Sequence, residues 1–327
     1  MDEDQLPIYF VVVVIFYHKR PVFLQSCLAI IVSYNPDLAV LQKQIRALLP
    51  QVDKILLIDN ASDGNPIESL LQDFNEQELS QISRKQFSSN QGVAIAYNDG
   101  INSAREASFS HVLLMDQDSI PEPSMVDCLY LAEASLLSQG ITPAALGANY
   151  ADRDDNKTIF IDSETCPVGR HICTQEKQLI ACDHLISSGS LIPLSVLNQV
   201  GLMDEALFVD LVDVDWGLRA QSAGYRCYAV CNALMHHSIG DDCHLVKLVN
   251  RKVNIHSSLR YYYQFRNSFL LYKQPYTSWC WIRYHFTRHI VFKFIYCLLF
   301  TAPRLENMKM MLLGIYHGLI GKGGKLQ

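Results

Sequence analysis

Two carboxylates one residue apart, Asp116 and Asp118, follow the apolar run Val112-Leu113-Leu114-Met115. The run reads as a buried strand, and Pro121 and Pro123 stop its regular continuation. In extended backbone, residues i and i+2 point to the same side. Both carboxylates can therefore face one place at the carboxyl end of a strand, where open α/β sheets bind their ligands. Paired hard oxygen donors repel unless a cation lies between them, and Mg²⁺ or Mn²⁺ suits such donors. The chemistry implied is a metal-diphosphate site. The bland alternative is a polar turn whose Asp side chains cap backbone amides. An isolated Asp-X-Asp favours the turn; the rest of the chain reverses that order.

A second acidic group, Asp210, Asp213 and Asp215, precedes Trp216 and opens a helical pattern that ends near Ala223-Gly224. Acids at a helix start complement its dipole, which is a structural reason for them. A carboxylate can also serve as general base toward a hydroxyl. Residues two apart on a helix point about 200° from each other, so Asp213 and Asp215 cannot both face one substrate. His236 and His237 follow the strand-like Arg226–Val230, and imidazole can ligate Mn²⁺-like ions. Arg260 and Arg266 lie in an aromatic, basic run with Asn267. Guanidinium groups grip phosphate, although a solvated helix face with tyrosines packed inward explains the same pattern.

The elements that must position these residues are α/β in character. Cys27–Ser33 reads as a buried strand, Leu38–Leu49 as a helix stopped by Pro50, and Lys54–Ile58 as a second strand. Strand, helix, strand over this length is a βαβ unit with a parallel sheet. Neither a Gly-X-Gly-X-X-Gly fingerprint nor a Walker loop follows the first strand, so dinucleotide-dependent oxidoreductase and P-loop classes drop out. Helices are expected over Val93–Ala107, Met125–Leu137 and Pro193–Val200, and a strand over Ala144–Asn149. Asp152–Lys157 reads as a polar loop, and the stretch to Leu179 as irregular. Small residues at Ser187–Ser190, with Gly189 among them, permit close approach of a ligand or of another backbone.

Composition bounds the rest. The chain has 327 residues, 49% hydrophobic and 18% charged, enough for a large core. Its net charge of −6 is uneven: from Cys243 onward 13 Lys/Arg face one acid, leaving 14 against 32 before it. A basic, aromatic last third suggests a membrane surface or a phosphorylated partner; no nucleic-acid-binding signature is present. The ten cysteines sit mostly in apolar runs without Cys-X-X-Cys and read as reduced core residues of a cytoplasmic protein. Ile8–Tyr17 is too short to span a bilayer and follows acids, so it is a poor signal peptide. An added strand, a membrane-grazing segment and an over-long start stay open for it. Trp279–Phe300 is interrupted by Arg283, Arg288 and Lys293 and should not span, but could lie in a membrane interface or pack as helices on the rest.

Taken in order, the motifs resemble glycosyltransferase family 2, whose members have the GT-A fold. The residues carrying the resemblance are Val32-Ser33-Tyr34-Asn35, Ile58-Asp59-Asn60-Ala61-Ser62, Asn90-Gln91-Gly92 with Asn98, and Asp116-Gln117-Asp118-Ser119. Val212 to Ala220 looks like the family's Glu-Asp-X-Asp helix start, with Val212 in place of the first acid. That replacement, Ser188-Gly189-Ser190-Leu191, His237-Ser238-Ile239-Gly240 and His256 to Asn267 look like the rhamnosyltransferase branch, which usually has Pro where Ser258 stands. The resemblance runs from Cys27 onward and implies a GT-A catalytic domain over 27–242. A helical, basic region over 243–327 and an extension of unknown role over 1–26 complete the chain.

The resemblance implies metal-dependent, inverting transfer of L-rhamnose from dTDP-L-rhamnose to a saccharide. That saccharide is often carried on polyprenyl diphosphate at the inner face of a membrane, in O-antigen or capsule assembly. Asp118 is then the metal ligand and Asp116 contacts the ribose, or the metal through water. Asp59 contacts the base, and Tyr34, Asn35, Asn60, Asn90 and Gly189 belong to the nucleotide-sugar site. His237 is a further metal or diphosphate ligand. Asp213 is the base, with Trp216 flanking the acceptor sugar and Asp215 left to pair with Arg219. Arg260 and Arg266 are candidates for acceptor or diphosphate contacts. Two other readings compete. A nucleotidyltransferase would want a glycine-rich basic loop where Ser33-Tyr34-Asn35-Pro36 stands. An inactive membrane-peripheral partner would have less reason to keep Asp118 and Asp213.

Overall fold

The apolar run at Cys27–Ser33 forms a strand (β1) buried on both faces. Leu28 and Ile30 enter one core cluster, and Cys27, Ala29 and Ile31 the other. That double burial is what a central parallel strand requires. The computed structural model describes residues 25–151, 158–174, 178–237, 243–246, 251–254 and 256–326. Ile8–Tyr17, Asp152–Lys157 and the Ser238–Gly240 part of the His237 motif lie outside them.

After β1 come α1 (Leu38–Leu48), β2 (Lys54–Asp59), α2 (Pro66–Leu71), α3 (Glu76–Gln81), β3 (Ile82–Gln86) and α4 (Val93–Glu106). The chain continues through β4 (His111–Asp116), β5 (Ser119–Pro121), α5 (Met125–Ser138), β6 (Pro143–Ala151), β7 (Phe160–Asp162), β8 (Gly169–His171) and β9 (Leu179–Cys182). Next are β10 (Ser190–Pro193), α6 (Leu194–Val200), α7 (Val212–Ser222), β11 (Arg226–His237), β12 (Cys243–Val246) and β13 (Arg251–Asn254). Four helices follow: α8 (Ser258–Leu271), α9 (Trp279–His285), α10 (Phe292–Phe300) and α11 (Arg304–Ile320), with a π-helical turn, Phe286–Val291, joining α9 to α10.

The main sheet runs β3-β2-β1-β4-β10-β6-β11, with β5 and β9 on the outer edge of β11. Strands β3, β2, β1 and β4 are parallel. Beyond β4 the sheet is mixed, because β10 runs antiparallel to both β4 and β6. The reversal depends on Gly189, at φ +78°, whose N–H donates to the Leu114 carbonyl at 2.9 Å. A side chain there would meet Ala148 Cβ and Met235 Sδ at 2.9 Å, so the close approach at Gly189 is made by neighbouring strands.

The cysteine reading needs correction. Cys27, Cys182, Cys227 and Cys297 are free and buried, and Cys128 is free and half-buried. Cys166–Cys280 and Cys173–Cys231, however, are disulfides with Cα separations of 5.8 and 5.4 Å. These four sit where the 158–182 segment meets α9 and β11, so their pairing is tertiary, across separations of 114 and 58 residues, and local sequence gave no sign of it.

Candidate active site

The carboxyl ends of β1, β2 and β4 open onto a cleft of roughly 980 Å³. Its far wall is the loop before α7 and the first turn of α8. Tyr34, Asn60, Asn90, Asp116, Asp118, Asp213 and Arg260 all line it. Asp116 ends β4 and Asp118 lies in the turn that follows; both reach the cleft, although the turn and not the extended backbone expected from sequence brings Asp118 there.

Asp116 is held from several sides. Its Oδ1 accepts from the Tyr97 hydroxyl at 2.8 Å, its N–H donates to Ser188 Oγ at 3.2 Å, and its carbonyl accepts from Gln44 Nε2 at 2.6 Å. Burial, then the adjacent Asp116 charge, push the Tyr97 phenol well up, so it stays a donor. Gln117 Oε1 accepts from the Tyr34 N–H at 2.6 Å, tying the β1 loop to the β4 loop. Asn60 donates to Asn90 Oδ1 at 3.1 Å and accepts from the Gln91 N–H at 2.9 Å. Asn35 sits behind this wall, its N–H on Ser62 Oγ and its side chain joined to Asp63. Asp59 is buried; Oδ1 accepts from the Ser62 N–H and hydroxyl at 3.0 and 2.6 Å, and Oδ2 has no partner. Asp59 thus forms an Asx turn with Ser62.

On the opposite wall Asp213 is the first-turn acid that faces the cleft. Its Oδ1 accepts from the Val214 N–H at 2.8 Å. Burial raises its pKa; His184 pulls the other way, while Asp116 and Asp210 add to the rise. Asp215 points inward, fully buried, with Oδ2 2.8 Å from Arg219 Nε and Oδ1 accepting from the Tyr276 hydroxyl. Trp216 does not line the cleft: its indole is buried and donates to the Gly201 carbonyl at 2.9 Å. The acceptor flank expected of it is left to other residues.

Arg260 pairs with Asp210 at 3.2 Å at the cleft wall. Arg266 is fully buried in α8 and spends its donors on the carbonyls of Ala206, Leu207 and Gly324. No substrate phosphate can reach a guanidinium so enclosed. Gly189 also lies off the cleft, for the packing reason given above. The His237 backbone pairs with Ser119, one residue past Asp118; its side chain is outside the described atoms. Lys293, counted among the surface cations of the last third, turns inward and donates to Gln264 Oε1 at 2.6 Å.

Several cleft residues had no assigned role in the sequence reading. Tyr97 sits on the apolar face of α4 and carries no motif signal. Asp210, His256 and Tyr263 reach the cleft only because α8 folds back onto the loop before α7. Burial, helped by the charges of Arg260 and Lys293, drives the His256 pKa down to about 3, so the ring is neutral.

Among the described residues no three His, Cys, Asp or Glu side chains are grouped to hold a metal ion. Asp116 and Asp118 are a two-carboxylate set of hard donors, suited to a cation that takes its remaining ligands from a bound diphosphate and water.

Comparison with known proteins bears on the family and the fold. Residues 28–161 match the model of glycosyl transferase family 2. The chain is 29% identical over 306 residues to the dTDP-rhamnosyl transferase RfbF of Shigella flexneri, covering 90% of this chain and 96% of that one. Among solved structures, S. aureus TarS 1-349 superposes with a TM-score of 0.53 at 12% identity, over 90% of this chain and 81% of that chain. GalNAc-T7 with UDP, GalNAc and Mn2+ gives 0.52 at 12% identity, over 67% of this chain and 46% of that chain. The chain is thus similar to glycosyl transferase family 2 over residues 28–161 and to a dTDP-rhamnosyl transferase over most of its length, on a fold like that of the solved glycosyltransferases.

Proposed function

We propose that the protein is a metal-dependent, inverting rhamnosyltransferase that takes L-rhamnose from dTDP-L-rhamnose. The observation that supports this reading is one cleft lined by Asp116 and Asp118 from the end of β4 and by Asp213 from the first turn of α7. The choice of sugar rests on the likeness to the Shigella enzyme over almost its whole length.

In this reading the nucleotide lies over the ends of β1 and β2, with Tyr34, Asn60 and Asn90 along it. Asp59 is buried and does not line the cleft, so its unpartnered Oδ2 would meet an N–H of the base only if the Asp59–Ser62 turn opened. Asp118 and Asp116 would hold Mg²⁺ or Mn²⁺, with His237 as a further candidate ligand. When bound, such an ion neutralises charge on the departing diphosphate. Asp213 accepts the proton of the acceptor hydroxyl as that oxygen bonds to the anomeric carbon, on the face opposite the breaking carbon–oxygen bond to the diphosphate. Burial favours this role, because it raises the carboxylate toward a basicity useful near neutral pH. Asp210, with Arg260, lines the acceptor side.

The acceptor is proposed to be a saccharide on polyprenyl diphosphate in surface-polysaccharide assembly, met at the inner face of a membrane. The region 27–242 is assigned to catalysis, and 243–327 to closing the cleft and to membrane contact. No helix among the described residues is long and apolar enough to cross a bilayer, so contact would be peripheral.

The test is a panel of nucleotide sugars incubated with the purified protein and Mn²⁺, with and without chelator, read by release of the nucleoside diphosphate. Chelator-sensitive consumption of dTDP-L-rhamnose above the other donors is expected. Preference for another donor would overturn the sugar assignment, and insensitivity to chelator would overturn the metal.

A further inference from the structure

The glycine-rich stretch after α11 has no place in the mechanism above, yet it is tied to the cleft wall. The Gly324 N–H donates to the Ala206 carbonyl at 2.7 Å. The buried Arg266 guanidinium bonds the Gly324 carbonyl with one nitrogen and the Ala206 and Leu207 carbonyls with another. Gly323 lies flat on Ala206, where a Cβ would stand 2.7 Å from the Ala206 Cβ. The Leu326 N–H donates to the Tyr263 hydroxyl at 2.9 Å, and Lys325 Nζ reaches the Asn90 carbonyl at 3.1 Å.

What this stretch braces is unusual backbone. Phe208, Asp210 and Leu211 have φ of +64°, +60° and +63°. Side-chain-bearing residues seldom adopt this region, and the surrounding structure must hold each instance in place. Asn267 supplies part of that hold by donating to the carbonyls of Leu207, Val209 and Asp210 at 2.7–2.9 Å. Tyr263 stacks on Phe208 with centroids 5.0 Å apart, and the Phe208 carbonyl accepts from the Val93 N–H at 2.8 Å. The strained loop runs directly into α7, two residues before Asp213.

We propose that residues 321–326 are a strap that positions the Phe208–Leu211 loop, and through it Asp210 and Asp213, for transfer. Arg266, Asn267 and Tyr263 are its positioning residues. This inference builds on Asp213 being the base. Loosening the strap should impair the chemical step more than donor binding, because β1, β2 and β4 hold the donor side and the strap touches it only through Lys325 on the Asn90 carbonyl.

Two variants approach the strap from different sides. Tyr263→Phe removes the hydroxyl that holds Leu326 and keeps the ring on Phe208. Gly323→Leu drives a side chain into Ala206 from outside the cleft. Lys322→Ala is the control in the same stretch. With whichever nucleotide sugar the wild type turns over, both test variants should lower transfer kcat by about 10- to 100-fold. The donor KM and the affinity for nucleoside diphosphate should stay within about threefold, the control should match wild type, and the double variant should be little worse than either single. Hydrogen exchange of the 208–211 amides, which needs no substrate, should accelerate in both while β4 keeps its protection. If the wild type consumes no nucleotide sugar, the functional reading fails and the exchange result alone decides the strap. Unchanged kcat and exchange, or equal loss of donor binding and turnover, would overturn the proposal.

Discussion

At the scale of single residues the proposed function gives two carboxylates of the same chemistry different jobs. Asp118, in the turn after β4, and Asp213, in the first turn of α7, both line the cleft. Asp118→Asn is expected to abolish metal-dependent binding of dTDP in calorimetry without unfolding the protein. Asp213→Asn should retain that binding and lose transfer by about a hundredfold or more. Equal loss of binding in both variants would refute the division. Because burial raises the Asp213 pKa, the base is protonated, and transfer falls, at a pH above the usual carboxylate range. The linked stability effect has a definite sign: a native pKa above the unfolded value means the folded state holds the proton more tightly. The buried charge therefore destabilises the fold at pH above the native pKa, and that cost disappears as pH falls through it. Asp213→Asn should be at least as stable as wild type at pH 8. Asp215→Ala should behave oppositely. It leaves Arg219, which also bonds the Val200 and Leu202 carbonyls, without its buried partner, and should cost on the order of 3 kcal/mol. That Asp213 and Asp215 face different ways was already visible in their two-residue spacing; the burial of Trp216 was not, because its partner, the Gly201 carbonyl, lies 15 residues away.

At the scale of elements, what local sequence determines was legible and what distant pairing determines was not. Strands β1 and β2 and helices α1, α4 and α7 fall within one or two residues of their expected bounds. Apolar runs and breakers such as Pro50 and Gly224 delimit them. Strands β7 and β8, inside the stretch read as irregular, are three residues each and pair with each other, while β9, which begins where that stretch ends, is fixed by the distant β11. Strand β11 was expected to end at Val230 but runs to His237, since β5 returns to pair with its last residues. The glycines of α11 were equally opaque, because periodicity detects apolar side chains and not the use of a missing one. At Gly314 a Cβ would stand 2.5 Å from the Tyr262 carbonyl oxygen, and at Gly318 2.6 Å from that of Arg266. These are backbone atoms of α8 and cannot turn aside. Gly314→Ala should therefore push α11 off α8 and cost about 1–3 kcal/mol in urea unfolding. An unchanged midpoint would mean that the two helices can separate without loss.

At the scale of the whole molecule, the last third carries an excess of cations and also a large exposed apolar surface. Ile295, Leu298, Leu299 and Phe300 of α10 are 41–54% exposed. On α11, Leu305, Leu312, Tyr316 and Leu319 are 49–77% exposed. At 100° per residue these four fall on one stripe, opposite the Met311, Gly314 and Gly318 face that α11 buries. Contiguous apolar surface of this kind on a soluble face marks a contact site. The 13-to-1 excess of Lys/Arg over acids from Cys243 onward suits an anionic bilayer. The inward turn of Lys293 removes it from that role and leaves Arg288, Arg304 and Lys309 beside the stripes. Insertion of the apolar residues and attraction of the cations make separable predictions. Co-sedimentation with vesicles containing phosphatidylglycerol should weaken as salt rises, since screening at 0.15 M acts over about 8 Å. Leu298→Glu combined with Leu312→Glu should weaken it at every salt concentration, while turnover of a water-soluble acceptor stays at the wild-type value because neither residue lines the cleft. Vesicle binding that ignores the paired substitution, or a wild-type protein that dimerises through this face and ignores vesicles, would assign the stripes to protein contact instead.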